Sequence, residues 1–256
     1  MDRRRVWFLL IFCVAVGVSH VARGIEFRVE HEIYVGTKQT PSTRGVTLFR
    51  GDLVYDFLES PQEIMVFDLK AERVVLLNPA RREMTELEFD TVDKLIAEMV
   101  TWASKQDDPY LQFLADPVFE MKTENDGATW IFDTRWLTYE FDTVEADSKE
   151  TLTRYWTFSD LSAKVNPLLS PGSRPPLLRL EINKKLRSAK RLPVAVRLRE
   201  KPKNLLDFLP RRPRTVFAKH QFSDSLSVAD KERIRQVEEY RRIFRSVPFN
   251  EYLQSL

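Results

Sequence analysis

The strongest constraint on the fold of this 256-residue chain is an alternation of apolar and polar side chains near its beginning. One side of the alternation carries Phe27, Val29, His31, Ile33 and Val35, and the other carries Glu26, Arg28, Glu30, Glu32 and Tyr34. A period of two residues over ten positions predicts a β-strand with one buried face.

Short apolar runs separated by turns follow this strand. They are Val46–Arg50, Leu53–Leu58, Ile64–Asp68 and Val74–Leu77. Such runs predict an antiparallel meander. Further strands are expected at 118–121, 129–132, 137–142, 194–199 and 215–222.

Helical patterns interrupt the strands at three places. Apolar residues at three-and-four spacing after Asp90 predict a first helix. Residues 147–190 are predicted to form a helical insertion, with a break at Asn166–Pro167 and a second short helix from Leu177 to Leu186. Ser227 and Asp230 have the spacing of a capping box and are expected to open a C-terminal helix. Because no repeat or linker stands out, residues 25–256 are predicted to form one α+β domain.

The first 24 residues have the composition of a secretory signal peptide. Three arginines, Arg3 to Arg5, precede the apolar run Val6–Val18, and small and polar residues lead to Gly24. The apolar run is shorter than the roughly 20 residues of a membrane span. We therefore expect a periplasmic or extracellular protein, cleaved after Gly24, Ser19 or Ala22. A retained anchor is the alternative.

The composition disfavours several kinds of catalytic site. Cys13, inside the signal segment, is the only cysteine, so residues 25–256 have no thiol chemistry. Their five glycines are too far apart for a phosphate-binding loop. Two histidines, His31 and His220, are too few for a catalytic zinc site. No metal or cofactor is predicted, and binding is favoured over catalysis. A hydrolase is the less favoured alternative, with both histidines meeting a carboxylate such as Asp56 or Asp68.

Charge is distributed unevenly along the chain. Residues 25–150 carry 13 Lys/Arg and 27 Asp/Glu, whereas residues 151–256 carry 23 and 10. The two halves either neutralise each other within one domain or leave a positive face for an anionic partner. Nucleic acid is disfavoured as that partner, because the basic run lacks interleaved aromatic residues.

Large apolar side chains on the predicted strands are candidates for the wall of a ligand cavity. They either fill a core or line the concave side of a curved sheet that holds an apolar ligand. The candidates are Tyr55, Phe57, Phe67, Trp130, Phe132, Leu137, Tyr139 and Phe141.

The segment 201–214 is a basic amphipathic loop. Apolar residues between cationic clusters suit docking at an anionic membrane, although the leucines can also pack back onto the domain. The candidate residues are Lys201, Lys203, Leu205, Leu206, Phe208, Leu209, Arg211, Arg212 and Arg214.

The order of the strands resembles that of a known family. The segments Leu53-Val54-Tyr55-Asp56, Ile64-Met65-Val66-Phe67-Asp68 and Val74-Val75-Leu76-Leu77-Asn78-Pro79 follow a long first strand. Over residues 25–145 and 190–225 this pattern is similar to the LolA/LolB-type lipoprotein-carrier superfamily. The resemblance implies an antiparallel half-barrel wrapped around helices, with an apolar cavity for acyl chains.

These features together favour an exported, non-enzymatic protein that binds a lipid or a lipid-modified protein at the cell envelope. Peripheral contact with an anionic membrane is part of this hypothesis, through the basic loop. The main alternative is an envelope scaffold or interaction protein whose sheet is solidly packed.

Overall fold

A computed structural model describes residues 25–59, 62–170, 174–201 and 215–254. In this part of the chain, twelve strands form one curved sheet. They are β1 (Glu26–Val35), β2 (Thr43–Arg50), β3 (Leu53–Leu58), β4 (Glu63–Asp68), β5 (Arg73–Asn78), β6 (Glu83–Glu88), β7 (Glu120–Glu124), β8 (Thr129–Asp133), β9 (Leu137–Glu145), β10 (Arg191–Glu200), β11 (Thr215–Ser223) and β12 (Arg245–Ser246).

The sheet joins two meanders through its first strand. Its strand order is β12-β6-β5-β4-β3-β2-β1-β11-β10-β9-β8-β7, so β1 lies between β2 and β11. All the pairings are antiparallel except that of β12 with β6. The predicted fold class, an α+β half-barrel wrapped around helices, is confirmed.

The helices of the described residues lie between and after these strands. None of them combines the length and the apolar character that a membrane span needs. They are α1 (Phe89–Ser104), α2 (Pro109–Ala115), α3 (Lys149–Leu169), α4 (Leu177–Ser188), α5 (Val228–Ile243) and α6 (Phe249–Gln254).

Two details of the helices differ from the prediction. The expected break at Asn166–Pro167 is wrong, because α3 continues through Pro167 to Leu169. Val165 is fully buried, and its packing stabilises the last turns despite the proline. Helix α2 was not predicted, although Asp108 and Pro109 are a helix-start signal. The Asp108 carboxylate accepts a hydrogen bond from the Tyr110 backbone N–H at 2.7 Å.

One face of the sheet, here called the inner face, packs against α1, α3 and α4. Trp156 of α3 lies at the centre of this core, is fully buried, and donates its indole N–H to the Arg191 carbonyl at 3.1 Å. The strands and helices contribute Phe27, Val29, Phe49, Phe67, Val74, Leu76, Phe132, Phe141, Ile96, Leu161 and Ile182, among others. The inner face is therefore filled by helices in the described structure.

The opposite face, here called the outer face, packs against α5. Ile234 and Val237 of this helix meet Leu48, Val66 and Leu77 of the sheet in a second core. The predicted capping box is confirmed, since Ser227 and Asp230 exchange hydrogen bonds at the helix start.

Two polar contacts fix α5 to the sheet at separate points along the helix. Arg28 Nη1 lies 3.0 Å from the Asp230 carboxylate, and the Tyr55 hydroxyl donates to Glu238 at 2.8 Å. Asp230 is buried, so this ion pair also holds the capping residue in place.

Candidate functional site

A groove of about 1020 Å³ lies on the outer face beside α5. It crosses six adjacent strands from β10 through β11, β1, β2 and β3 to β4, a distance of about 24 Å at the usual strand spacing. Its apolar wall consists of Val46, Phe57, Ile64, Val194, Ala195, Phe217 and Tyr240. The sheet and helix therefore enclose a recess of ligand size.

Helix α5 forms one side of this outer groove. Arg233, Gln236 and Tyr240 recur at spacings of three and four residues, so they share one stripe of the helix. The neighbouring stripe, with Ile234 and Val237, is buried against the sheet. Packing of that apolar stripe directs the polar stripe toward the groove.

An ion-pair network borders the groove on β1 and β2. The Tyr34 hydroxyl donates to Glu32 at 2.6 Å, and Arg44 Nε lies 3.1 Å from the same carboxylate. These hydrogen bonds lower the pKa of Glu32 and keep it ionised. Arg28 is likewise engaged, by Glu30 and Asp230.

Two cationic side chains of the groove have no carboxylate partner among the described residues. In the described ranges, neither Lys219 of β11 nor Arg233 of α5 lies within ion-pair distance of a carboxylate, whereas Arg197 lies 2.7 Å from Glu140 and 2.9 Å from Asp142. Lys219 Nζ is 5.8 Å from the centre of the Phe217 ring. Lys219 and Arg233 thus place positive charge beside an apolar surface.

The opposite end of the groove is acidic. Glu59 and Glu63 lie where β3 ends and β4 begins, four to five strands away from β10. Burial and the nearby Asp56 raise the pKa of Glu63. The groove therefore has one unpaired cation on β11, another on α5, and carboxyl groups at β4.

The two histidines meet on the inner face. His31 and His220 are register partners on β1 and β11, and their ring centres lie 6.3 Å apart. Both residues are part of the groove lining, although alternation along each strand directs their side chains to the face opposite Glu30, Glu32 and Lys219. Burial, His31 and a nearby arginine, Arg179, lower the pKa of His220 to about 3. His220 is therefore neutral at physiological pH.

A buried carboxylate completes the histidine cluster. Asp56 of β3 accepts a hydrogen bond from the Thr47 hydroxyl at 2.7 Å. Burial raises the pKa of Asp56, and the electrostatic effect of His31 and the Thr47 hydrogen bond oppose that rise. The second candidate carboxylate, Asp68, instead accepts from the Ala71 backbone N–H in a turn. The cluster contains groups for proton exchange, and the described residues offer no set of three metal ligands.

Gly45 makes room for His31. A Cβ atom at position 45 would lie 2.1 Å from His31 Nε2 and 2.6 Å from the Phe57 carbonyl oxygen. Gly45 is the register partner of His31, so the imidazole occupies the space of the missing side chain. This absence of a side chain lets His31 extend across β2 toward β3.

We expect Gly45→Ala to lower the free energy of unfolding by about 1–3 kcal/mol, because it overpacks the cluster. Adding His31→Ala should recover part of the loss, since the Phe57 carbonyl still crowds the new methyl group. Urea denaturation of the two single variants and the double variant measures this coupling. A Gly45→Ala protein within 0.5 kcal/mol of the wild type would contradict the packing of His31 over Gly45.

The eight predicted cavity residues do not line one common cavity. Phe67, Phe132, Leu137 and Phe141 are buried in the inner core, with Trp130 and Tyr139 packed against it. Tyr55 and Phe57 belong to the outer core, because they point opposite to Val54 on β3. Of the eight, Phe57 alone is part of the groove wall in the described structure.

Most of the predicted basic loop lies outside the described residues. Lys201 is described, and its ammonium group donates to Asp133 and to the Thr134 carbonyl. The remaining candidates lie outside: Lys203, Leu205, Leu206, Phe208, Leu209, Arg211, Arg212 and Arg214. The signal segment, residues 1–24, lies outside as well.

The sequence pattern alone did not identify the groove. Its polar residues come from β1 to β4 near the beginning of the chain and from β10, β11 and α5 near its end. The charged side of β1 was one signal that could have indicated the groove. Charged residues on one face of a strand need either solvent or polar partners, so that face could not be covered by an apolar core. Gly45 and Thr47 were missed because their role depends on cross-strand neighbours.

Comparison with known proteins adds no family to this description. No protein-family model and no curated protein matches the chain. The chemistry of the groove and of the histidine cluster is therefore the basis for a functional proposal.

Proposed function

We propose that this chain is an exported, non-enzymatic protein that binds an amphiphilic lipid at the cell envelope. The lipid is either free or the acyl chain of a lipid-modified protein. The observation that carries this proposal is the outer groove of about 1020 Å³, with an apolar wall and two unpaired cations. The signal-like segment 1–24 supports export, and the strand pattern supports a carrier-like fold.

The dimensions of the groove suit a small amphiphile. Ligand sites in proteins usually measure about 300–1,000 Å³ and combine apolar walls with a few polar groups. Val46, Ile64 and Ala195 supply the apolar contact for a chain. Lys219 and Arg233 supply positive charge for an anionic head group.

The filled inner face is the observation that favours the alternative of a scaffold protein. A carrier of the resembled type holds acyl chains in the cavity of its half-barrel, whereas α1, α3 and α4 occupy that position here. The proposal therefore places the ligand on the outer face.

Blocking the groove should weaken lipid binding at least about tenfold, which corresponds to about 1.4 kcal/mol. Gln236→Trp blocks it from α5, and Ala195→Phe blocks it from β10. Gln254→Trp, on an exposed position of α6 outside the groove, is the matched control. Titration of delipidated protein with a fluorescent lysophospholipid measures the dissociation constants.

Two results would contradict the proposal. One is the absence of lysophospholipid binding by the delipidated wild type. The other is equal binding by the wild type and both groove variants, because the ligand would then occupy a different surface. Circular dichroism on each variant confirms that the sheet is retained.

A further inference from the structure

The strand β7 (Glu120–Glu124) is a free edge of the sheet. In the described part of the chain it stands last in the strand order and pairs only with β8. All five of its residues are exposed. The backbone N–H and C=O groups on the side away from β8 are therefore open to another strand, because the edge of a sheet is a template for strand pairing.

The other edge of the sheet is protected. There the described structure ends in β12, a strand of two residues that pairs in parallel with β6. Very short strands leave few backbone groups for another chain, which is one way in which proteins protect an edge. Pairing between molecules is therefore expected at β7.

The side chains of β7 divide between the two faces of the sheet. Met121 is the register partner of Phe132 in the inner core, so it lies on the inner face, where 46% of its surface is exposed. Glu120, Lys122 and Glu124 alternate with it and lie on the outer face. The edge therefore carries a cation between two anions on one face and an exposed methionine on the other.

The order of these charges distinguishes the registers in which two copies of β7 can pair antiparallel. With Lys122 opposite Lys122 of the second copy, each Glu120 faces a Glu124, so every charged pair is repulsive. With Met121 opposite Met121 of the second copy, Glu120 faces Lys122 at two symmetric places. Opposite charges directly across two strands stabilise their pairing, whereas like charges destabilise it. The charges therefore favour the register centred on Met121.

A register centred on Thr123 is disfavoured by the end of the strand. It would retain two favourable charge pairs, but it would place Met121 opposite Asn125 of the second copy. Asn125 and Asp126 have positive φ and turn the chain back toward β8, so they have no extended backbone to offer. The register centred on Met121 is therefore the one that satisfies both faces of the edge.

We propose that this protein forms a symmetric dimer in which the β7 strands of two copies pair antiparallel, with Met121 opposite Met121. The two sheets then continue into each other, with two Glu120–Lys122 pairs on the outer face and the methionines in contact on the inner face. A pairing of this length buries less surface than a permanent interface, so the dimer is in reversible equilibrium with the monomer. Each copy keeps its outer groove open, because β8 and β9 separate β7 from the groove strands.

Sedimentation equilibrium of the full chain over a range of protein concentrations tests the dimer. Lys122→Glu places a glutamate opposite Glu120 at both symmetric positions, so the dissociation constant should rise at least about tenfold. Adding Glu120→Lys restores opposite charges and should restore the dissociation constant of the wild type. Lys70→Glu, in the exposed turn between β4 and β5, is the matched control and should leave it unchanged.

Disulfide trapping tests the register. Met121→Cys in a Cys13→Ser background, in which no other cysteine remains, should give a cross-linked dimer on oxidation, because directly opposite residues lie within disulfide reach. Thr123→Cys in the same background should not, since its two thiols would lie about 13 Å apart along the strands. Each variant is first shown to keep the circular dichroism spectrum of the wild type.

Three results would overturn the proposal. A wild type that sediments as a monomer at every concentration would show that the edge is free, or that another part of the chain or a different protein covers it. A dimer that Lys122→Glu does not weaken would meet through another surface. Cross-linking of Thr123→Cys in preference to Met121→Cys would contradict the register.

Discussion

Replacing Trp156 with alanine should lower the free energy of unfolding by about 3–5 kcal/mol. Trp156 is fully buried between α3 and the sheet, and its loss leaves a large cavity in the inner core. The change also removes the hydrogen bond from the indole to the Arg191 carbonyl. Urea denaturation followed by circular dichroism measures the effect.

Trp102→Ala is the matched control for this core substitution. Trp102 lies on α1 with 55% of its surface exposed, so its removal should change the stability by less than about 0.5 kcal/mol. Equal effects of the two substitutions would contradict the packing of α3 against the inner face.

Replacing His220 with glutamine should make the protein less sensitive to acid. The pKa of His220 is lowered to about 3 in the folded protein, against 6.5 for an unperturbed histidine. Between these values the unfolded chain binds the proton and the folded protein does not, so the wild type loses stability as the pH falls. The loss is about 1.4 kcal/mol per pH unit, which amounts to about 2 kcal/mol at pH 5 and about 3 kcal/mol at pH 4.

The experiment compares the free energies of unfolding of the wild type and His220→Gln between pH 7.5 and pH 4 at constant ionic strength. Glutamine does not titrate, so the difference between the two proteins isolates the contribution of His220. Parallel pH profiles would contradict the account, in which burial and the electrostatic effects of His31 and Arg179 keep His220 neutral.

The sequence was most informative where structure is local. The alternation from Glu26 to Val35 predicted β1 because a strand with one buried face must alternate. Ser227 and Asp230 predicted the start of α5, because a capping box depends only on neighbouring backbone groups. Alternation along the strands also predicted that His31 and His220 lie on apolar strand faces. In the structure their ring centres lie 6.3 Å apart.

The sequence pattern did not predict which distant strands pair with each other. The groove exists because β1 pairs with β11, a strand nearly 200 residues away, and because α5 then covers only part of the outer face. The aromatic residues are divided between the inner and outer faces of the sheet. This division depends on the register of β3, in which Tyr55 and Phe57 point to the outer face and Val54 and Asp56 point to the inner face. Neither fact follows from the composition of a single segment.

The outer groove contains charged residues from both halves of the chain. The basic second half of the chain contributes Lys219 and Arg233 to the groove, and the acidic first half contributes Glu32, Glu59 and Glu63. The groove combines neutralising ion pairs at some positions with unpaired cations at others.

Native mass spectrometry of the full chain, recovered from the cell envelope without detergent extraction, tests the central proposal most directly. The wild type should carry the mass of one amphiphile, and Gln236→Trp should not, while Gln254→Trp should match the wild type. A wild type without any bound lipid, or the same adduct on Gln236→Trp, would contradict the assignment of the outer groove as a lipid site.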